Sequence, residues 1–400
     1  MSMRPPRAKY FNTTGPCDPK RHYMLSLTPQ LTRARELIES DRSFVLHAPR
    51  QTGKTTALYE LKSELKAEGD TATLMFSCEC ARVMRDDVDW TESFMLESLR
   101  EAADVSGWPK ELLPPDSLPQ AAPGSRFGAA LSEWCRRSPR RLVLILDEVD
   151  SLSGATMVNV FRQLRDGHNA RHEGRPFPAS VVLCGVRDVP DYWVTSGGNP
   201  DWSDPAGPFA FITESLRLGD FTIDQIAELY NQHTQATGQE FTMDAVDRVF
   251  ELTQGQQGLV NALADQITYA MRKNGTITTA HVDEAKERLI RKRPVYLDAV
   301  MARLHEPRVE RVIRAILEGT PPGTDASLDD DISYIRNLGV IRGTRTPMIA
   351  NPMYREFLLR HWFLSADLLN REQYGPFTDE ELTEAYLRIF GSSHQESGRM

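Results

Sequence analysis

Phe44-Val45-Leu46-His47-Ala48-Pro49-Arg50-Gln51-Thr52-Gly53-Lys54-Thr55-Thr56 is the stretch of sequence that decides the fold. An apolar run, predicted to be a buried strand, breaks into a loop that ends in Gly-Lys-Thr. A helix is predicted to follow at once, over residues 55–67, with its leucines and alanines on one face. A glycine-containing loop between a strand and a helix, ending in this way, predicts a phosphate-binding loop, or P-loop.

The expected chemistry of this loop is electrostatic. Successive backbone N–H groups and the helix N-terminus wrap a polyphosphate, Lys54 places a cation on the outer phosphates, and the Thr55 hydroxyl ligates Mg²⁺. Ala48 stands where the motif has its first glycine and lacks that residue's freedom at positive φ, so the start of the loop is expected to differ. The predicted nucleotide-binding residues are Pro49, Arg50, Gln51, Thr52, Gly53, Lys54, Thr55 and Thr56.

A second stretch, residues 141–148, is predicted to complete the site. Five consecutive aliphatic residues, typical of a strand buried on both faces of a parallel sheet, end in Asp147 and Glu148. Ligands of open α/β sheets lie at the carboxyl ends of the strands, so these acids are expected to face Lys54 and Thr55. We expect Asp147 to orient Mg²⁺ and Glu148 to polarise the attacking water.

Arginines supply further candidates. Arg187 follows the strand predicted over residues 179–188, where a fixed cation could sense the γ-phosphate. The alternative is an exposed arginine paired with Asp188. Another four arginines crowd one helix end and the next loop, where each is either an arginine finger for a neighbouring subunit or part of a solvated basic loop; they are Arg162, Arg165, Arg171 and Arg175.

Composition limits the class of protein. The 400 residues carry a formal net charge of −9, which argues against wholesale coating of nucleic acid without excluding a local basic face. No apolar run approaches a membrane span, and the N-terminal residues do not resemble a secretion signal. The five cysteines lack metal-site spacing; Cys78 and Cys80 are a conceivable ligand pair, but two buried thiols are favoured. A cytoplasmic location is expected.

The pattern along the chain predicts five parts. Residues 1–30 are an irregular, basic and aromatic arm, which either lies across the adenine or packs on the sheet. Residues 31–218 are the ATPase core, and 219–293 contain helices only. Residues 294–365 contain helices and two short strands, which predicts a winged-helix-like domain. Residues 366–400 are an acidic, partly disordered tail.

These motifs, together with the helical segment 252–264, resemble the AAA+ class of P-loop ATPases. The chain is similar to bacterial AAA-like ATP-binding proteins beside the origin-recognition initiators and the STAND signalling NTPases. The resemblance implies an α/β core with a parallel sheet, a helical lid and a C-terminal winged helix, and Arg187 matches the family's sensor arginine. The lid lacks a sensor arginine, since relatives place Pro-Trp or Pro-Arg where this chain has Gln257 and Gly258.

Two functions follow from the resemblance. In the first, the chain binds ATP and Mg²⁺, hydrolyses ATP slowly, and acts as a regulatory switch or assembly ATPase that signals through the lid to a winged-helix interaction domain. Its partners would be a protein and further copies of the chain. In the alternative, it is an initiator-like or loading ATPase that binds DNA. DNA is the less favoured partner, because the helix predicted over 327–338 carries Asp329, Asp330 and Asp331 against Arg336.

Overall fold

The structure is a computed structural model that describes residues 9–83, 86–117, 119–189, 192, 207–292, 303, 304, 306–319 and 329–365, with side chains through residue 360. The helix predicted over 295–304 falls almost entirely outside these residues, and the predicted tail 366–400 falls wholly outside them.

Strands and helices alternate over the first part of the chain. In order they are β1 (Tyr10–Phe11), β2 (His22–Tyr23), α1 (Thr28–Glu39), β3 (Ser43–His47), α2 (Lys54–Glu68), β4 (Thr71–Ser77), α3 (Val88–Asp104), α4 (Arg126–Arg137), β5 (Arg141–Asp147), α5 (Gly154–Ala170), β6 (Ser180–Gly185) and β7 (Ile212–Arg217).

Helices dominate the remainder, and the C-terminal elements include one short hairpin. In order they are α6 (Ile223–Thr237), α7 (Met243–Thr253), α8 (Gln257–Asp265), α9 (Thr279–Lys292), α10 (Pro307–Leu317), α11 (Asp330–Asn337), β8 (Ile341–Arg342), β9 (Met348–Ile349) and α12 (Pro352–Ser365).

The described chain divides into two units. The sheet unit comprises Ser26–Pro49 and Gly53–Gly219, and the helical unit comprises Met1–Leu25, Arg50–Thr52 and Asp220–Met400. The tip of the loop that precedes α2 therefore groups with the helical unit, although the strand before it and the helix after it belong to the sheet unit.

A five-stranded parallel sheet forms the centre of the sheet unit, in the order β4-β5-β6-β3-β7. The aliphatic residues 142–146 of β5 are at most 2% exposed, as expected for a strand covered on both faces. Because all five strands are parallel, their carboxyl ends share one edge of the sheet. The predicted α/β fold with a parallel sheet is confirmed.

The edge strand β7 was not predicted. Its sequence, Ile-Thr-Glu-Ser-Leu-Arg, contains no apolar run, and its side chains are exposed or half-buried because β7 pairs only with β3. No strand was predicted between residues 188 and 294, so the fifth strand of this sheet is a correction. An edge strand with polar residues lacks the periodic apolar signal on which strand prediction depends.

The N-terminal arm packs within the helical unit. The parallel pair of β1 and β2 buries the rings of Phe11 and Tyr23, which contact Tyr230, His233 and Phe241. The arm was predicted to lie across the adenine or to pack on the sheet. In the structure, its aromatic core instead packs against helices of its own unit.

The elements after residue 306 include two helices, an antiparallel hairpin and a further helix. Ile341 of β8 pairs with Ile349 of β9, and α11 begins at an N-cap formed by Asp329, whose carboxylate accepts from the backbone N–H groups of Asp331 and Ile332. This helical C-terminal region agrees with the predicted architecture. A winged helix stays a prediction.

Candidate nucleotide site

The loop between β3 and α2 changes direction at two residues with positive φ. Gln51 has φ of 61° and Gly53 has φ of 72°, so both occupy the left-handed region. Ala48 does not, and it continues the sheet by donating its N–H to the carbonyl of Gly185 at 3.3 Å. The expected difficulty at Ala48 therefore does not arise, because this backbone makes no use of a glycine's freedom there.

The Lys54 side chain is held inside its own loop. Its Nζ donates to the carbonyl oxygens of Ala48 at 2.8 Å and Pro49 at 2.7 Å. Lys54 is the first residue of α2, after the left-handed Gly53. The ammonium group is thus fixed at the N-terminal end of a 15-residue helix, where the helix dipole also favours an anion.

Thr55 and Asp147 meet as predicted. The Thr55 hydroxyl donates to Oδ2 of Asp147 at 2.7 Å, and Asp147 is 4% exposed. The other carboxylate oxygen of Asp147 accepts the backbone N–H of Glu148 at 2.9 Å. A hydroxyl and a carboxylate in contact are oxygen donors of the kind that Mg²⁺ prefers, so Thr55 and Asp147 fit the implied metal ion.

Glu148 is held in an unusual backbone conformation. Its φ of 55° and ψ of 40° lie in the left-handed region, which is uncommon for a residue with a side chain. Its Oε2 accepts the Ser77 hydroxyl at 2.6 Å, and Ser77 is the last residue of β4. Ser77 was not predicted to belong to the site. The available signal was its position at the carboxyl end of a strand adjacent to β5.

Arg187 lies beside an acid that the sequence analysis did not associate with it. Its Nε is 3.9 Å from Oδ1 of Asp150, which belongs to the turn after β5. The predicted strand 179–188 ends earlier, at Gly185, so Arg187 is in the loop that follows β6. The role of Arg187 toward a phosphate stays a prediction.

His47, the last residue of β3, is a buried titratable group that the sequence analysis did not single out. It is 6% exposed, and its Nδ1 has no hydrogen-bond partner in the described structure. Burial is the main reason why its pKa is lowered; Asp188 acts in the opposite direction, and Arg217 and Lys54 act in the same direction. The imidazole is therefore neutral at pH 7, directly before the phosphate-binding loop.

No disulfide joins any of the five cysteines, all of which lie in the described residues. Cys78 and Cys184 are buried, and burial raises the pKa of both thiols, whereas Cys80 is exposed. The expectation of two buried thiols at 78 and 80 is therefore wrong for Cys80, which lies in a turn beyond the end of β4. Over the described residues, no group of three or more His, Cys, Asp or Glu side chains could hold a metal ion.

The four clustered arginines differ in their surroundings. Arg165 donates to the carbonyl of Gly207 at 3.0 Å, and Arg171 donates to the carbonyls of Asp41 and Ala179 at 3.3 and 2.8 Å. Arg162 is exposed, as is Arg175, whose side chain is 64% exposed and 4.0 Å from Glu173. Arg165 and Arg171 therefore contribute to the fold of their own chain.

Comparison with known proteins gives a consistent result. Residues 37–192 match the family described as "AAA domain". A Walker-type ATPase of Pyrococcus abyssi is 13% identical over 87% of this chain and 99% of its own, with a TM-score of 0.58. Cdc6p from Pyrobaculum aerophilum is 16% identical over 91% and 94%, with a TM-score of 0.46. The Orc1 protein of Aeropyrum pernix, solved with DNA, is 14% identical over 86% and 94%, with a TM-score of 0.41.

No protein among the curated sequences matches the chain. Within the part of the chain that the structure describes, no helix has the length and apolar character needed to cross a membrane.

Proposed function

We propose that this chain is a P-loop ATPase of the AAA+ class, which binds Mg·ATP, hydrolyses it slowly and passes its nucleotide state to the C-terminal helices and hairpin. The observation that carries the proposal is the 2.7 Å hydrogen bond between Thr55 and Asp147. It places the first turn of α2 against the acidic end of β5. These are the two elements that a phosphate and its metal ion require.

Each site residue has a proposed role. Lys54 supplies a fixed cation for the outer phosphates, and the loop residues Pro49 to Thr56 surround the polyphosphate. Thr55 and Asp147 supply oxygen atoms to Mg²⁺, which neutralises phosphate charge when bound. Arg187 recognises the γ-phosphate. Glu148 accepts a proton from the attacking water.

A slow basal rate is expected from the surroundings of Glu148. Its Oε2 already accepts the Ser77 hydroxyl at 2.6 Å, so that this oxygen must give up a hydrogen bond before it can accept a proton from water. The missing lid arginine acts in the same direction, because one supplied arginine can be worth about 10³-fold or more in phosphoryl transfer. An arginine from a second copy of the chain would remove this deficit, so we propose that a homo-oligomer is the more active form.

The proposed signalling route lies within the helical unit. A Cβ on Gly258, in the first turn of α8, would lie 3.0 Å from the Cβ of Gln51 at the tip of the phosphate-binding loop. A movement of Gln51 on nucleotide binding would therefore displace the backbone of α8, because the two are already in close contact.

The segment before α8 joins this helix to the C-terminal elements. Gln254 accepts from Arg342 of β8, and Gln256 bonds to Asn351 at 2.9 Å and to the Tyr354 hydroxyl at 2.7 Å. We propose that residues 219–293 act as a lid and residues 294–365 as a winged-helix domain, with Gln254 and Gln256 as the connection between them.

The proposed partner of the C-terminal region is a protein. The N-terminal end of α11 is acidic, and Asp331 pairs with Arg311 at 2.6 Å, so this end of the helix is poorly suited to phosphates. The second candidate function, DNA binding in the manner of a loading ATPase, is favoured by the exposed Arg342 and Arg345 of the β8–β9 hairpin. Binding of a duplex with a steep salt dependence would select this second function.

Hydrogen exchange tests the proposed transmission. A non-hydrolysable ATP analogue should change amide exchange in residues 341–365 of the parent protein. Gln256→Ala should reduce that change while leaving nucleotide affinity unaltered, and Gln235→Ala, an exposed position on α6, is the matched control. A change of equal size in the parent and Gln256→Ala would contradict the proposed route. Light scattering with analogue and with duplex DNA separates the homo-oligomer from the DNA-bound form.

A further inference from the structure

Asp150 is surrounded by donors that come from a different part of the chain. It lies in the turn Val149–Ser151, which follows β5 directly. Its Oδ2 accepts the backbone N–H of Val186, and its Oδ1 accepts the Tyr192 hydroxyl at 3.0 Å. The carboxylate therefore ties the turn that follows Glu148 to the loop after β6.

The backbone beneath Asp150 leaves no space for movement. A Cβ on Gly185, the last residue of β6, would lie 1.9 Å from the Tyr192 hydroxyl and 2.6 Å from Oδ2 of Asp150. Tyr192 is fully buried, and burial raises the pKa of its hydroxyl, which therefore stays protonated and remains a donor. Glycine is the only residue that permits this close approach, so the position of Asp150 is fixed by packing as well as by hydrogen bonds.

Arg187 is the cation next to this fixed carboxylate. The side chains of Arg187 and Asp150 are 18% and 15% exposed, and the contact between them uses Nε, at 3.9 Å from Oδ1. A pair so shielded from water interacts more strongly than a surface pair. Asp150 therefore restrains the Arg187 guanidinium from the side of its Nε atom.

We propose that Asp150 is a positioning residue that restrains Arg187 for recognition of the γ-phosphate, and thereby sets the preference of this protein for ATP over ADP. The inference rests on the proposed function, because it assigns a partner to Arg187. Asp150 itself touches no phosphate in this account. It acts only through Arg187.

Asp150→Asn separates this role from a purely structural one. The amide Oδ1 can accept the Val186 N–H, and the Tyr192 hydroxyl can rotate to accept from the amide nitrogen, so both hydrogen bonds survive. The negative charge beside Arg187 is lost. A structural role would be largely retained in this variant, whereas the restraint on Arg187 would not.

The experiment is calorimetric titration of the full chain with Mg·ADP and with a non-hydrolysable Mg·ATP analogue. The proteins compared are the parent, Asp150→Asn, Arg187→Ala, the double variant, and Asp166→Asn as a charge-matched control at an exposed position on α5. Asp150→Asn should weaken analogue binding by about tenfold or more, the worth of one charge-assisted hydrogen bond, and leave ADP binding unchanged. Arg187→Ala should do the same, and the double variant should be no weaker than Arg187→Ala.

Three results would overturn the inference. One is an Asp150→Asn variant with the parent's preference for the analogue, and another is an equal loss of both nucleotides. The third is a double variant whose loss is the product of the two single losses. A parent protein that binds neither nucleotide would overturn the proposed function and the inference with it, whereas any of the first three leaves nucleotide binding intact.

Discussion

The Thr55 hydroxyl donates to Oδ2 of Asp147 at 2.7 Å, across 92 residues of sequence. The register of the sheet produces this contact. β5 pairs with β4 and β6, and β3, which leads into the loop before Thr55, pairs with β6. The carboxyl ends of β3 and β5 are thus held at one edge of the sheet, on either side of β6, and the hydroxyl and the carboxylate meet there.

Substitutions of the two acids at the end of β5 are expected to have different effects on turnover. Glu148→Gln keeps size and hydrogen bonding but removes the proton acceptor, so it should retain ATP binding and lose turnover by about 10²-fold or more. Asp147→Asn should instead weaken the dependence of turnover on Mg²⁺ concentration. Steady-state kinetics over a magnesium series measures both. Equal and mild losses would remove the assigned roles from both carboxylates.

Ser77→Ala should raise basal turnover. Loss of the hydrogen bond leaves Oε2 of Glu148 less restrained and available to the attacking water, and one such bond corresponds to roughly twofold to tenfold in rate. The control is Ser63→Ala on α2, where the hydroxyl donates to the carbonyl of Tyr59. ATP hydrolysis under saturating nucleotide is the measurement. A tenfold fall in Ser77→Ala would mean that the serine aligns Glu148 rather than restraining it.

Stability should fall as the pH is lowered below about 6.5, the ordinary pKa of histidine. Burial lowers the pKa of His22, His47, His168 and His233. Below pH 6.5 the unfolded chain takes up protons that the folded chain does not, so the free energy of unfolding decreases.

His47→Asn isolates one of these groups. It should remove up to about 1.4 kcal/mol per pH unit from the slope of stability against pH between the folded and unfolded pKa values. Urea unfolding at pH 7.5, 6.5 and 5.5 measures the slope, with the exposed His172→Asn as control. The same slope in the parent and His47→Asn would show that His47 does not remain neutral in the folded state.

Turnover per chain is expected to rise with protein concentration if a neighbour supplies an arginine. Arg175→Ala should abolish that rise without changing stability, because its side chain is 64% exposed. Arg171→Ala should instead lower the free energy of unfolding by about 1–3 kcal/mol, because backbone carbonyls lose a charged donor. Assays across a dilution series, paired with unfolding curves, distinguish the two. A flat specific activity in the parent would leave these arginines without a role between subunits.

Much of the sheet could be predicted because its central strands are uninterrupted aliphatic runs. The pairing of Thr55 with Asp147 followed from the rule that parallel strands end at one edge. Ser77 and Asp150 could not be assigned, because their partners lie 71 and 36 residues away and depend on the register of the folded sheet. The effect of Ala48 could not be predicted, because sequence alone does not indicate which loop residue takes the left-handed conformation.

Thermal unfolding with and without Mg·ATP tests the central claim, that Lys54 and its loop bind the nucleotide. The parent and the control Lys62→Ala, on the same helix, should gain at least about 2 °C in Tm at saturating Mg·ATP. Lys54→Ala should gain nothing, because the cation that the carbonyls of Ala48 and Pro49 hold in the loop is then absent. A Lys54→Ala protein that is stabilised as much as the parent would contradict the account.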